Sequence, residues 1–98
     1  MALHHVVMWK LHDGDDKAIR VKEAVRLLQS CAAIVPGIVR FEAAAAQPGL
    51  ECTYDVVLNS SFADRGALQA YQSHPDHVAI KPFMKSVVAA RQCMDYED

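Results

Sequence analysis

Tyr71-Gln72-Ser73-His74-Pro75-Asp76-His77 is the densest run of chemically competent side chains in this sequence. Proline biases the residue before it away from the helical region, so the spacing predicts His74 as an N-cap and Pro75 as the first helical residue. Asp76 and His77 then occupy the first turn. Asp76 suits the positive end of a helix dipole. An imidazole in that turn feels the same field, which disfavours its protonated form, and a neutral imidazole is what a general base needs near pH 7. Tyr71, just upstream, could place its hydroxyl into the same cavity. The alternative is structural: His74 bonds the helix backbone and His77 packs at a dimer seam, with no chemistry at all. Two histidines three residues apart with Asp76 between them lack a clear third ligand, so no metal site is expected.

The elements that must position these groups follow from the apolar pattern. Leu3 to Leu11 is rich in β-branched and aromatic residues and ends in the turn cluster His12-Asp13-Gly14-Asp15-Asp16, so it reads as a strand. Asp15 or Asp16 can cap a helix running from Lys17 to about Ile34, in which Val21, Val25, Leu28 and Ala32 recur at helical spacing. Pro36-Gly37 ends it. Strands are expected at Ile38 to Ala46 and Thr53 to Phe62. Asp64 caps a short helix through Ala67, Leu68 and Tyr71. The helix opened by Pro75 runs to about Lys85, and Val87 to Tyr96 is the last strand. The order β-α-β-β-α-β predicts an α+β, ferredoxin-like fold, with a four-stranded antiparallel sheet and its helices on one face.

A solitary domain of this kind shows water a polar sheet face. Here the strands do not alternate cleanly. Leu3, Val7, Trp9 and Leu11 share one face of the first strand, and Val6 and Met8 occupy the other. In the third strand Tyr54, Val56 and Leu58 oppose Val57. An apolar second face predicts a homodimer in which two sheets pack face to face. His4 and His5 then lie on opposite faces, and His5 points inward if Val7 and Trp9 do.

The 98 residues are expected to form one domain, 1–98. A hydrophobic share of 52% excludes disorder, and no apolar run approaches the ~20 residues a bilayer span requires. Ten basic against twelve acidic residues leave no basic face for nucleic acid. The N-terminus carries no signal-peptide pattern, which points to the cytoplasm. Cys31, Cys52 and Cys93 are an odd count without paired spacing and read as small hydrophobes. The acidic end, Asp95 to Asp98, reads as a solvated tail. Arg91 could hold an acidic group of a ligand or pair with Asp95 or a carboxylate across the interface.

Three stretches, Leu3-His4-His5-Val6-Val7, Tyr71-x-x-His74-Pro75-x-His77-Val78 and Arg91-x-x-x-Asp95-Tyr96, resemble the stress-responsive A/B barrel (Dabb) family. The resemblance spans essentially the whole chain and implies a dimeric α+β barrel. It is similar within that family to plant polyketide cyclases, which use a Tyr and a His of this motif in an intramolecular aldol condensation. That likeness implies that His77 abstracts a proton next to a carbonyl and that Tyr71 stabilises the developing oxygen anion. It also implies a pocket with His5 opposite and Val7, Trp9, Leu58, Ile80 and Phe83 as its apolar wall. His74 and Arg91 join the expected ligand-binding residues from their own chemistry, although Arg91 is more polar than an open polyketide pocket favours. The expected reaction is a lyase, cyclase or isomerase step on an apolar or carbonyl-bearing molecule, with no cofactor. A non-catalytic dimer that binds a ligand under stress is the alternative.

Overall fold

A computed structural model describes residues 2–98, so of the expected 1–98 domain only Met1 lies outside the described residues. The elements are β1 (Leu3–Leu11), α1 (Lys17–Gln29), β2 (Ile38–Ala45), β3 (Val56–Phe62), α2 (Arg65–Ser73), α3 (Pro75–Val87) and β4 (Val88–Glu97). The four strands form one antiparallel sheet in the order β2-β3-β1-β4. This is the ferredoxin-like arrangement.

Strand parity assigns the two faces. Leu3, His5, Val7, Trp9 and Leu11 are buried on the inner face, opposite Phe62, Ser60, Leu58 and Val56 of β3. Ala24 and Leu28 of α1, Leu68 and Tyr71 of α2, and Ile80, Met84 and Val87 of α3 complete one core with them. The outer face carries Val6, Met8, Val57 and Met94 in register across β1, β3 and β4. Met94 is 68% exposed and Met8 39%, so no element among the described residues covers this face.

Several boundaries differ from the pattern reading. Helix α1 ends at Gln29, five residues before Ile34. The Ser30 hydroxyl donates to the Leu27 carbonyl, and the Cys31 and Ala32 amides bond three residues back, so the chain tightens into turns before Pro36. Asp16 occupies the N-cap of α1 without a side-chain capping bond. Its carboxylate instead pairs with Arg20, one turn on, at 3.0 Å. Strand β3 starts at Val56 and not at Thr53, because Asp55 turns its carboxylate to the Leu11 amide (2.8 Å) and to Lys17 (3.3 Å). Gly37, the turn residue before β2, has φ 92° and lies so close to α2 that an added Cβ would be 2.8 Å from the Ala67 methyl.

The junction of α2 and α3 is the feature that positions the chemistry. His74 is extended (φ −63°, ψ 138°) and is at once the C-cap of α2 and the N-cap of α3. Its Nδ1 accepts a hydrogen bond from the Asp76 amide at 3.0 Å. Proline at the next position disfavours helical backbone at His74 and so favours this break, whereas Pro82 is accommodated inside α3. The break leaves Tyr71 in the last turn of one helix and His77 in the first turn of the next.

Candidate active site

A cavity of about 480 Å³ opens between the inner sheet face and the helices, within the range of small-molecule sites. Val7, Trp9, Leu28, Leu58, Ile80 and Met84 form its apolar walls. The polar groups reaching it are His5, Tyr71, Gln72, His77, Lys81, Lys85 and Arg91.

Tyr71 and His77 are neighbours here, with ring centroids 4.5 Å apart and planes inclined at 46°. The Tyr71 ring is fixed by Phe62 and Phe41, at 5.3 and 5.6 Å. Tyr71 is 1% exposed, and its hydroxyl has no hydrogen-bond partner. Leaving a buried hydroxyl unpaired costs on the order of 1–3 kcal/mol, and no group of the described residues offsets that cost. Burial raises the phenol's pKa far above its usual 10.0, which keeps it a proton donor.

His77 is half-buried, and its Nδ1 lies 3.0 Å from the Gln72 carbonyl. A carbonyl only accepts, so Nδ1 carries the proton and donates it. In the neutral ring Nε2 is then the basic nitrogen. Burial lowers the His77 pKa below 6.5, with the charges of Lys81 and Arg91 acting in the same direction and the Gln72 carbonyl opposing. The imidazole is therefore neutral at pH 7, as a general base requires.

His5 is buried on the inner face of β1, 6.5 Å from the Tyr71 ring. Its Nδ1 is 2.5 Å from Asp95 Oδ1 on β4, and a carboxylate in that position fixes the ring's tautomer. The acidic end of the chain is thus not a free solvated tail. Asp95 holds His5, Glu97 pairs with Arg65, and Asp98 pairs with His4 at 3.0 Å. Nor does Arg91 pair with Asp95. It faces the cavity across the ladder from Trp9. Ligand atoms of His5, Cys93 and Asp95 lie within 4.8 Å of one another, the one such group among the described residues. The direct bond between His5 and Asp95 already occupies the Nδ1 position.

Eight residues expected at the site, His5, Val7, Trp9, Leu58, Tyr71, His77, Ile80 and Arg91, do line this cavity. Two do not. His74 spends its imidazole on the helix cap. Phe83 lines a separate surface groove with Ile19, Val25 and Ala45. At about 100° per residue it sits roughly 90° around α3 from the mean direction of His77, Ile80 and Met84. Leu28, Gln72, Lys81, Met84, Lys85 and Val88 also line the cavity, and Asp95 supports His5 from its edge, although the sequence does not mark them as site residues. Lys85 can be found in the sequence as the second i+4 step from His77, whereas the pairing of Asp95 with His5 depends on strand register.

No match was found among curated protein sequences. Solved structures do match. A dimeric protein of unknown function with a ferredoxin-like fold from Bacteroides fragilis is 26% identical, with a TM-score of 0.83 over 99% of this chain and 96% of that one. A Dabb family protein from Mesorhizobium loti is 24% identical, with a TM-score of 0.72 over 99% and 96%. The cofactor-independent oxygenase SnoaB from Streptomyces nogalater shares the fold at 12% identity, with a TM-score of 0.76 over 99% and 92%. The model of the stress responsive A/B barrel domain matches residues 3–98, and the chain therefore belongs to the Dabb family.

Proposed function

We propose that this protein is a cofactor-independent lyase, cyclase or isomerase acting on a carbonyl compound held in the cavity. The observation that carries the reading is the unpartnered Tyr71 hydroxyl beside a neutral His77 at the wall of an apolar cavity. In this reading His77 Nε2 takes a proton from the carbon next to the carbonyl, and that C–H electron pair becomes the enolate. The Tyr71 hydroxyl donates a hydrogen bond to the enolate oxygen, stabilising charge where it develops. The enolate carbon then attacks a second carbonyl or is reprotonated elsewhere, and the proton on His77 returns to the product. His5, aligned by Asp95, borders the same space.

The active form in this reading is a homodimer built on the outer sheet face. Val6, Met8, Val57 and Met94 supply the apolar surface, and the Bacteroides fragilis structure is described as dimeric. The exposed free thiols of Cys52 and Cys93 fit a reducing compartment such as the cytoplasm, and no helix is long and apolar enough to cross a membrane.

Deuterium incorporation next to the carbonyl of 2-decanone in D2O, followed by NMR, tests the chemistry without knowledge of the natural substrate. The protein should accelerate exchange above buffer, and His77→Gln should abolish the acceleration. Binding of the ketone without any exchange would leave the cavity a ligand site and reject the catalytic assignment.

A further inference from the structure

The charges at the cavity do not balance. Of ten Lys and Arg residues, five (Lys17, Arg20, Arg26, Arg40 and Arg65) pair with a carboxylate. Three of the other five, Lys81, Lys85 and Arg91, line this one cavity, where no Asp or Glu joins them. Lys81 and Lys85 are four residues apart on α3, a spacing at which like charges repel. Lys85 lies in the last turn and complements the helix dipole, but Lys81 and Arg91 have no such local role. Arg91 reaches the same space from β4, opposite Trp9. A protein with a net charge of −2 has thus gathered three uncompensated cations at the rim of an apolar chamber. Independently, the buried Tyr71 hydroxyl in the same chamber lacks a partner.

We infer that the cavity takes an amphipathic anion, its apolar body against Val7, Trp9, Leu28, Leu58 and Met84 and its carboxylate or phosphate head on Lys81, Lys85 and Arg91. This rests on the ligand cavity of the proposed function and narrows the substrate class to it. Arg91 offers a planar fork suited to either head group, and the two lysines add point charges that tolerate either. Apolar walls alone accept any hydrophobe of suitable size. The rim therefore supplies both selection and orientation, fixing which end of the molecule lies nearest His77.

Trp9 is the only tryptophan and lines the cavity, so its fluorescence reports occupancy directly. Titrations with decanoate, decyl phosphate, decanol and decyltrimethylammonium share one apolar body and differ only in the head. At least one of the two anions should bind about tenfold more tightly than decanol, and the cation more weakly than either. Lys81→Gln and Arg91→Gln should each weaken anion binding about threefold, and together about tenfold, without changing decanol binding. Lys22→Gln, on the far side of α1, should change nothing. Equal binding of decanoate, decyl phosphate and decanol, unmoved by the rim substitutions, would overturn the anion inference while leaving the cavity intact. No response of Trp9 to any probe would reject the ligand cavity itself, and the inference with it.

Discussion

Asp95 Oδ1 lies 2.5 Å from His5 Nδ1, joining the cavity wall on β1 to the last strand of the chain. The histidine is buried and the carboxylate is partly open to solvent. The pair therefore orients a ring inside the cavity from a group at its edge. Ninety positions separate the two residues in sequence. Only antiparallel pairing of β1 with the edge strand β4 places them on one face.

Asp95→Ala should release that ring. We expect a stability loss of about 1 kcal/mol, below the ~1.5–3 kcal/mol of a fully buried hydrogen bond to a charged group because the carboxylate is partly solvated. Chemical denaturation measures the loss. The nitrogen chemical shifts of His5 should move from a single Nδ1–H tautomer toward a mixture, and unchanged shifts would remove the orienting role.

Tyr71→Phe should separate stability from function. Because the hydroxyl is buried without a partner, its removal should leave the melting temperature unchanged or raise stability by up to about 1 kcal/mol. Exchange of 2-decanone protons should nevertheless fall by about tenfold or more. A clear destabilisation would show that the hydroxyl has a structural partner and count against its readiness for substrate.

His77 sets the pH dependence. Its native pKa lies below 6.5 while the unfolded chain titrates near 6.5, so the unfolded state binds more protons in the interval between them. The stability held by neutral His77 is fully present above pH 6.5 and is lost as pH falls through the lowered native value. Thermal melts from pH 8 to pH 4 should show this slope, and His77→Gln should flatten it. Exchange activity should stay level from pH 8 to about 6.5 and decline only below.

Assembly follows from strand parity. Light scattering should give about twice 10.8 kDa, and Met8→Asp or Met94→Asp on the outer face should yield folded monomers. Val7→Asp and Leu58→Asp place the charge in the helix-covered core and should unfold the protomer instead. A wild-type monomer would remove the proposed interface.

His74→Ala should cost about 1 kcal/mol through loss of the α3 cap. Probe binding to the cavity should be unaffected once the protein is folded. Weakened probe binding at full folding would return His74 to the ligand site.

Much of this was readable from residue order. Alternation in Leu3 to Leu11 separated His5, Val7 and Trp9 from His4, Val6 and Met8, because a strand has no choice about side-chain parity. Pro75 announced the break between α2 and α3, because the residue before proline resists the helical region. That placed Tyr71 and His77 on either side of one junction. Phe83 lies off the cavity because membership of an apolar helix does not by itself say which side faces the cavity. The end of α1 is not legible in the sequence because alanine and isoleucine can continue a helix that Ser30 in fact closes.

The sequence by itself determined the elements, the sheet parity and the Tyr-x-x-His-Pro-x-His junction, since these depend on the backbone preferences and periodicities of residues close in the chain. The register between strands, which alone brings Asp95 to His5 and Arg91 opposite Trp9, was decided by the tertiary structure. So was the closing of α3 over the sheet, which gathers Lys81, Lys85 and Arg91 around one cavity. Pairings between residues tens of positions apart arise when two elements bury a common apolar face, and no local pattern encodes which polar groups that burial leaves side by side.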